Sequence, residues 1–340
     1  MRTLIVVAVV LLLAMDVDGI SRFIAGTRDG STALALAAAT VLAAAGALVV
    51  LRWPVIAVPS PASAVTSDAT SADVAVAGAR QRVDELLATG AIAIALQPVV
   101  DLSNGRLAGV EALARFTDGR SVDEWFQDAH DAGRTLALDR LAFTSALQFL
   151  RTLPDTCHLS INAGPHLLTE GTLLREIAEG DVPHEQLIIE VTEHVRIHNY
   201  RDLHALLAPV RERGVRLAVD DTGAGYASLH HVLQLRPDIV KIDRSLITGL
   251  SSDPARRSLV TALVLLALDL GANVTAEGVE TPQELETLAS LGVDYAQGYL
   301  LARPTTNPLR WRRWYDRNWL YPTAVPSPAP PGLVAMDLTT

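Results

Sequence analysis

Short apolar runs recur between residues 91 and 301, and longer amphipathic stretches separate most of them; no other feature restricts the fold of this chain as much. The runs are AIAIALQPVV, RLAGVEALA, HLSIN, LIIEVTE, VRLAVDD, DIVKID, NVTAEGV and YAQGYLL. Each is about as long as a strand, and several lack the apolar–polar alternation of a strand with one wet face. Helical stretches fill the gaps, for example residues 202–213 and 282–291. Eight strands with helices between most of them predict an α/β barrel of parallel strands. One junction departs from this pattern. Asn104-Gly105 lies between the first two runs, and Asn-Gly is the strongest short hairpin signal. The first strand is therefore expected to run antiparallel to the second.

The rest of the 340 residues call for a different environment. Hydrophobic residues make up 49% of the chain and charged ones only 19%, with a mean hydropathy of +0.26. A soluble barrel does not account for that bias; a membrane segment does. A helix needs roughly 20 apolar residues to span a bilayer. Residues 32–51 meet this requirement; residues 4–15 are a shorter run that reads as a thin span or a signal-peptide core, with no cleavage-site sequence after it to favour the latter. The expectation is a membrane region over 1–53, with two transmembrane helices joined by a short outer loop at 16–30. Arg2, Arg52, Arg80 and Arg82 then share one side, which the positive-inside rule makes cytoplasmic. Residues 54–79 are rich in Pro, Ala and Ser and read as a linker; 80–321 form the folded block, and 322–340 a Pro-rich disordered tail. A net charge of −10 argues against a nucleic-acid polymer as partner. The single cysteine, Cys157, excludes an intrachain disulfide and is expected to be a packed thiol.

Polar residues gather where the predicted strands end. Glu111 closes the second strand and Asn162 the third, and Glu190 and Glu193 lie on the fourth. Asp220 and Asp221 close the fifth. Lys241 lies on the sixth, Glu277 on the seventh and Gln297 on the eighth. In an α/β barrel this is the face that carries active sites. So many carboxylates cannot share a site ionised without cations, and all-oxygen ligands suit Mg²⁺, Mn²⁺ or Ca²⁺. Two ions about 3.5–4 Å apart, the arrangement used for in-line phosphoester displacement, fit such a set. Taken singly, each residue also has a plainer explanation: Asp220-Asp221 as turn chemistry, Asn162 as a helix cap, Gln297 as a backbone partner. It is the repetition at successive strand ends that favours the metal site.

Lys241 is the only lysine among 28 basic residues. Arginine would serve a structural ion pair equally well. Lysine can lose its proton when desolvated, or place a compact charge on a phosphate or water. Elsewhere the signals are weaker. His230-His231 shows no metal spacing, Gly223-Ala224-Gly225 lacks the spacing of a phosphate loop, and Trp311, Trp314 and Trp319 suggest an amphipathic segment packed on the barrel.

Taken in order, QPVVDLSNGRLAGVEALAR, SIN, IIEVTE, DDTGAGYASL, IVKIDRSLI, TAEGVETPQEL and YAQGYLLARP resemble the EAL domain family of bacterial cyclic-di-GMP phosphodiesterases. The likeness covers about residues 90–306, with Glu111-Ala112-Leu113 at the family's signature. It implies a modified (β/α)8 TIM-type barrel with an antiparallel first strand. It implies hydrolysis of cyclic di-GMP to linear pGpG with Mg²⁺ or Mn²⁺, two ions being expected. Carried over by motif, Glu111, Asn162, Glu190 and Asp220 hold one ion. Asp220 and Asp221 hold the other, with Glu277 nearby. Lys241 acts as general base or orients the attacking water. Gln97, Leu113, Arg115, Glu280 and Gln297 contact substrate, and Glu193 anchors the loop after the fifth strand. The resemblance also implies a homodimer through the barrel and a barrel facing the cytoplasm from the plasma membrane. Two positions of the DDTGAGY loop depart from the family, Thr222 standing for Phe and Ala224 for Thr. The segment TDGRSVDEWFQDAHDAG after Arg115 lacks the family's proline-led motif, which is expected to alter the rim of the site.

Overall fold

The computed structural model describes residues 68–320, apart from 192–196, 198 and 224–225. The eight runs form one closed barrel in sequence order: β1 (Ile92–Asp101), β2 (Leu107–Phe116), β3 (His158–Ala163), β4 (Leu187–Val191), β5 (Arg216–Thr222), β6 (Ile239–Ile242), β7 (Asn273–Ala276) and β8 (Tyr295–Ala296). β1 is antiparallel to both β2 and β8, and all other neighbours are parallel. The hairpin direction is as expected, but the turn is wider than an Asn-Gly pair. The Asp101 carboxylate accepts hydrogen bonds from the Ser103 N–H and the Asn104 side chain, and Gly105 takes a positive φ of 69°. An Asx turn thus holds the loop open, and the glycine supplies the left-handed step.

Continuous apolar sequence produces strands buried on both faces. All five residues of β4 and all four of β6 are buried. Outside the barrel, helices such as Thr135–Leu147, Thr172–Glu179 and Tyr200–Arg211 join the main core through Phe143, Leu173, Ile177, Leu203 and Leu207. The tryptophan segment docks as expected. The helix Pro308–Tyr315 buries Trp311 and Trp314, and Trp311 meets Phe149 edge-on at 5.5 Å.

Two expectations change. β7 and β8 stop before Glu277 and Gln297, so both residues stand on the loops that leave the strands. Residues 68–79, assigned to the linker, belong to a helix, Asp68–Thr89. Alanine-rich sequence free of proline favours that outcome, whereas Pro/Ala/Ser composition taken over a whole window hides it. His231, read from the sequence only as a surface or helix residue, lies buried on the helix Tyr226–Leu235 and meets the Tyr200 hydroxyl at 2.8 Å. The proposed spans in 1–53 and the tail 322–340 lie outside the described residues. Among the described residues no helix is long and apolar enough to cross a membrane.

Candidate active site

Register places the polar residues in one ring. Gln97 on β1 faces Glu111 on β2, Glu111 pairs with Ser160 on β3, and Asn162 pairs with Glu190 on β4. Strand side chains alternate between faces. Ser160 and Asn162 therefore share the inward face, as do Ala218 and Asp220, and Ile239 and Lys241.

Lys241 stands at the centre of this ring. Its Nζ lies 2.7 Å from Glu190 Oε2, 2.5 Å from Glu277 Oε1, 3.1 Å from Asp220 Oδ1 and 3.8 Å from Glu111 Oε1. Glu111 is joined to its neighbours by Asn162, whose Nδ2 donates to Oε1 at 3.0 Å, and by Gln297, whose Nε2 donates to Oε2. Gln297 also donates to Gln97 Oε1 at 3.0 Å, and Gln97 in turn donates to the Ala302 carbonyl.

Adjacent residues of a regular strand point to opposite faces, yet Asp220 and Asp221 act together. The β5–β6 register shifts between Val219 and Thr222, and Asp221 adopts a positive φ of 52°. A bulge with a left-handed residue re-aims a side chain, and strained backbone of this kind is concentrated at functional sites. Carboxylate oxygens of Asp220, Asp221 and Glu277 consequently lie within 4.8 Å of one another. Gly223 follows with φ +106°, and a Cβ there would run into the Leu246 side chain.

The charges do not balance. Four carboxylates surround one ammonium. Burial pushes both Glu190 and Glu277 above the usual carboxylate range, although the nearby Lys241 pulls them back. Burial alone would depress Lys241; Asp220, Glu111, Glu190 and Glu277 outweigh it and hold the ammonium well above its ordinary value. An ammonium has no lone pair, so in this arrangement Lys241 donates hydrogen bonds. Cations on the carboxylates would relax that hold.

A divalent metal fits this donor set. Its ligands would all be oxygens, they are already crowded, and two are under-satisfied. Of these two, Asn162 Oδ1 is buried with no hydrogen-bond partner at all, and the Asp220 Oδ1 atom has only the shared Lys241 ammonium at 3.1 Å. A buried acceptor left unpaired is costly unless something absent from the protein chain satisfies it.

Beside the ring opens a cavity of about 610 Å³, lined by Leu113, Arg115, Phe126, Asp139, Asn162 and Asp221 among others. Leu113 and Arg115 thus share this cavity with Asn162 and Asp221. Glu280 is not brought into the ring; its carboxylate pairs with Arg244 at 2.9 Å on the exposed rim. Glu193 lies outside the described residues.

Sequence reasoning missed Asp139. It is buried on the helix Thr135–Leu147, accepts from the Gly164 N–H at 3.2 Å, and is pushed up to about 6 by burial. The signal was an acid beside Leu138 and Phe143 on the apolar helix face. Because its folded value is raised, stability falls as pH rises through roughly 4 to 6. Asp139→Asn is expected to stabilise the protein against urea by up to about 3 kcal/mol at pH 7.5 and by almost nothing at pH 4. Equal effects at both pH values would show that the carboxyl is unshifted.

Comparison with known proteins covers most of the described chain. Residues 80–304 match the EAL domain model. The chain is 31% identical over 242 residues to the cyclic di-GMP phosphodiesterase NbdA of Pseudomonas aeruginosa, covering 68% of this chain and 31% of that one. It is 31% identical over 191 residues to the cyclic di-GMP phosphodiesterase PdeF of Escherichia coli, covering 54% and 26%. The chain spans less than half the length of the curated relatives it matches. Among solved structures, the manganese/cyclic-di-GMP complex of Klebsiella pneumoniae BlrP1 at pH 6 superposes with a TM-score of 0.56 at 32% identity, covering 63% of this chain and 56% of that one. An EAL domain protein from Listeria monocytogenes gives 0.61 at 26% identity, covering 74% and 99%.

Proposed function

The chain belongs to the EAL domain family, and on that premise we propose that its barrel is a metal-dependent phosphodiesterase converting cyclic di-GMP to linear pGpG. The observation that carries this reading is the ring of Glu111, Asn162, Glu190, Asp220 and Glu277 around Lys241, with Asp221 turned toward it by the β5 bulge. In this reading Glu111, Asn162, Glu190 and Asp220 hold one Mg²⁺ or Mn²⁺, and Asp220 with Asp221, near Glu277, holds a second. Ions bound there supply Lewis-acid polarisation of the phosphodiester and acidify water.

The chain's own groups do the positioning. Arg115 presents its guanidinium to a phosphate, and Leu113 packs on the ligand. Lys241 points its ammonium at the attacking water. Gln97 and Gln297 complete the substrate contacts, and Gln297 also donates to Glu111 and to Gln97. Glu280 borders the rim, and Glu193 anchors the loop after β5. A purely ligand-binding receptor on the same fold would not require this complete set of oxygen ligands.

We further place the barrel on the cytoplasmic side of a bacterial plasma membrane, tethered through residues 1–53. The arginine positions around the apolar runs support this, and fractionation of cells tests it. Pairing of two barrels is also proposed. Exposed Leu259, Leu265 and Leu268 on the helix Pro254–Leu270 support it, and sedimentation equilibrium reads the stoichiometry.

Arg115 offers a test specific to the substrate. A hydrogen bond to a charged group is worth about 1.5–3 kcal/mol. Arg115→Ala should therefore raise KM for cyclic di-GMP roughly 10- to 100-fold with metal affinity unchanged. An unaltered KM would remove Arg115 from the phosphate site.

A further inference from the structure

We infer that Asp128 is a positioning residue that sets one wall of the substrate cavity by clamping it to the helix Asp68–Thr89. The inference rests on the reading that the 610 Å³ cavity receives the dinucleotide.

The wall is the helix Val122–Asp131, part of the segment that departs from the family pattern. It begins with a capping box in which Ser121 and Glu124 satisfy each other's backbone N–H. Its Val122, Asp123, Phe126 and Gln127 line the cavity that also holds Leu113, Arg115, Asn162 and Asp221. Its other face is buried against the helix Asp68–Thr89. There Val83 and Leu86 pack with Trp125, Ala129 and Leu138 in a cluster separate from the main core. Phe116, at the end of β2, stacks on Trp125 with ring centroids 5.0 Å apart. The barrel thus holds the wall at the Phe116–Trp125 stack, and the end of the helix beyond Trp125 needs a second anchor.

Polar contacts supply that second anchor. Arg82 donates to Asp128 Oδ2 from Nε at 3.0 Å and from Nη2 at 2.7 Å. Arg120 donates to the same oxygen at 2.7 Å and lies over the Trp125 ring at 5.1 Å. Arg134 ties the far end of the segment to Asp84 at 2.7 Å. A single exposed ion pair carries little energy, but two guanidiniums converging on one mostly buried carboxylate fix a geometry. The Asp128 side chain is 15% exposed, against 47% for Arg82. Arg120, and then Arg82, hold its carboxyl below the usual range, so the clamp stays charged at neutral pH. Because Phe126 and Gln127 precede Asp128 directly, any release at Asp128 is felt at the cavity surface.

The test uses the full chain with Asp128→Asn, Arg82→Ala and the double variant. The expected result is a 5- to 20-fold rise in KM for cyclic di-GMP with kcat within about twofold, Mn²⁺ affinity unchanged, and a double variant no worse than the worse single one. Hydrogen exchange over residues 122–131, which needs no turnover, should accelerate in each variant. Wild-type turnover with an unchanged KM in Asp128→Asn would overturn the inference, as would a loss of kcat alone. A wild type that neither binds nor turns over the dinucleotide would instead sink the functional reading. Exchange at 122–131 would then still decide whether Asp128 holds the wall, and unchanged protection there would overturn it.

Discussion

Lys241→Met will destabilise the metal-free protein by about 3–5 kcal/mol at pH 8 and abolish turnover. The reason is the charge count around a side chain only 3% exposed. Lys241 is the ammonium shared by Glu111, Glu190, Asp220 and Glu277, and methionine leaves those carboxylates facing one another. Their burial already raises Glu190 and Glu277. For acids whose folded values are raised, stability is lost as pH rises through those values. The penalty should therefore shrink toward pH 5, where the folded carboxyls retain their protons. Saturating Mn²⁺ should restore part of the stability by mass action, about 2.7 kcal/mol at a hundredfold excess over Kd, while turnover stays absent. Urea unfolding at the two pH values, with and without Mn²⁺, reads all of this. A loss under 1 kcal/mol, independent of pH, would mean that Lys241 is not the counter-charge of the ring.

Asp220→Asn should behave in the opposite way. It removes one negative charge from a crowded cluster, so the metal-free protein should be at least as stable as wild type. It also removes the carboxylate expected to bridge both ions. Mn²⁺ affinity should fall by roughly 100-fold or more, the upper end of the cost of altering even an outer-shell partner. Turnover should fall about 1000-fold, the consequence of losing several kcal/mol of metal-derived charge stabilisation. Calorimetric titration of Mn²⁺ beside a turnover assay separates the two effects. Undiminished Mn²⁺ binding would remove Asp220 from the metal ligands.

These residues were legible in the sequence because barrel geometry does the folding argument's work. Eight apolar runs and one Asn-Gly junction suffice to place strand ends on one face, and Glu111, Asn162, Glu190, Asp220 and Lys241 then converge without further information. What escaped depends on features that composition does not carry. The bulge that turns Asp221 toward Asp220 comes from a register shift and a positive φ. Glu277 and Gln297 lie beyond strands shorter than their apolar runs. The helix at 68–79 was masked by the Pro- and Ser-containing window around it. The clamp of Asp128 by Arg82 spans 46 residues, and no local periodicity signals a pair at that distance. Asp139 was visible as an acid on an apolar helix face, but a single such residue is weak until a cavity is found beside it.

The central claim is that this ring of oxygens hydrolyses a cyclic dinucleotide with the help of divalent cations. The most direct measurement incubates the full chain with cyclic di-GMP and Mn²⁺ and separates the nucleotides by chromatography, with EDTA-treated and Glu111→Gln samples alongside. The account predicts linear pGpG in the Mn²⁺ sample and intact cyclic di-GMP in the other two. Intact cyclic di-GMP in all three, from a protein that binds it and saturates with Mn²⁺, would contradict the account and make the barrel a receptor.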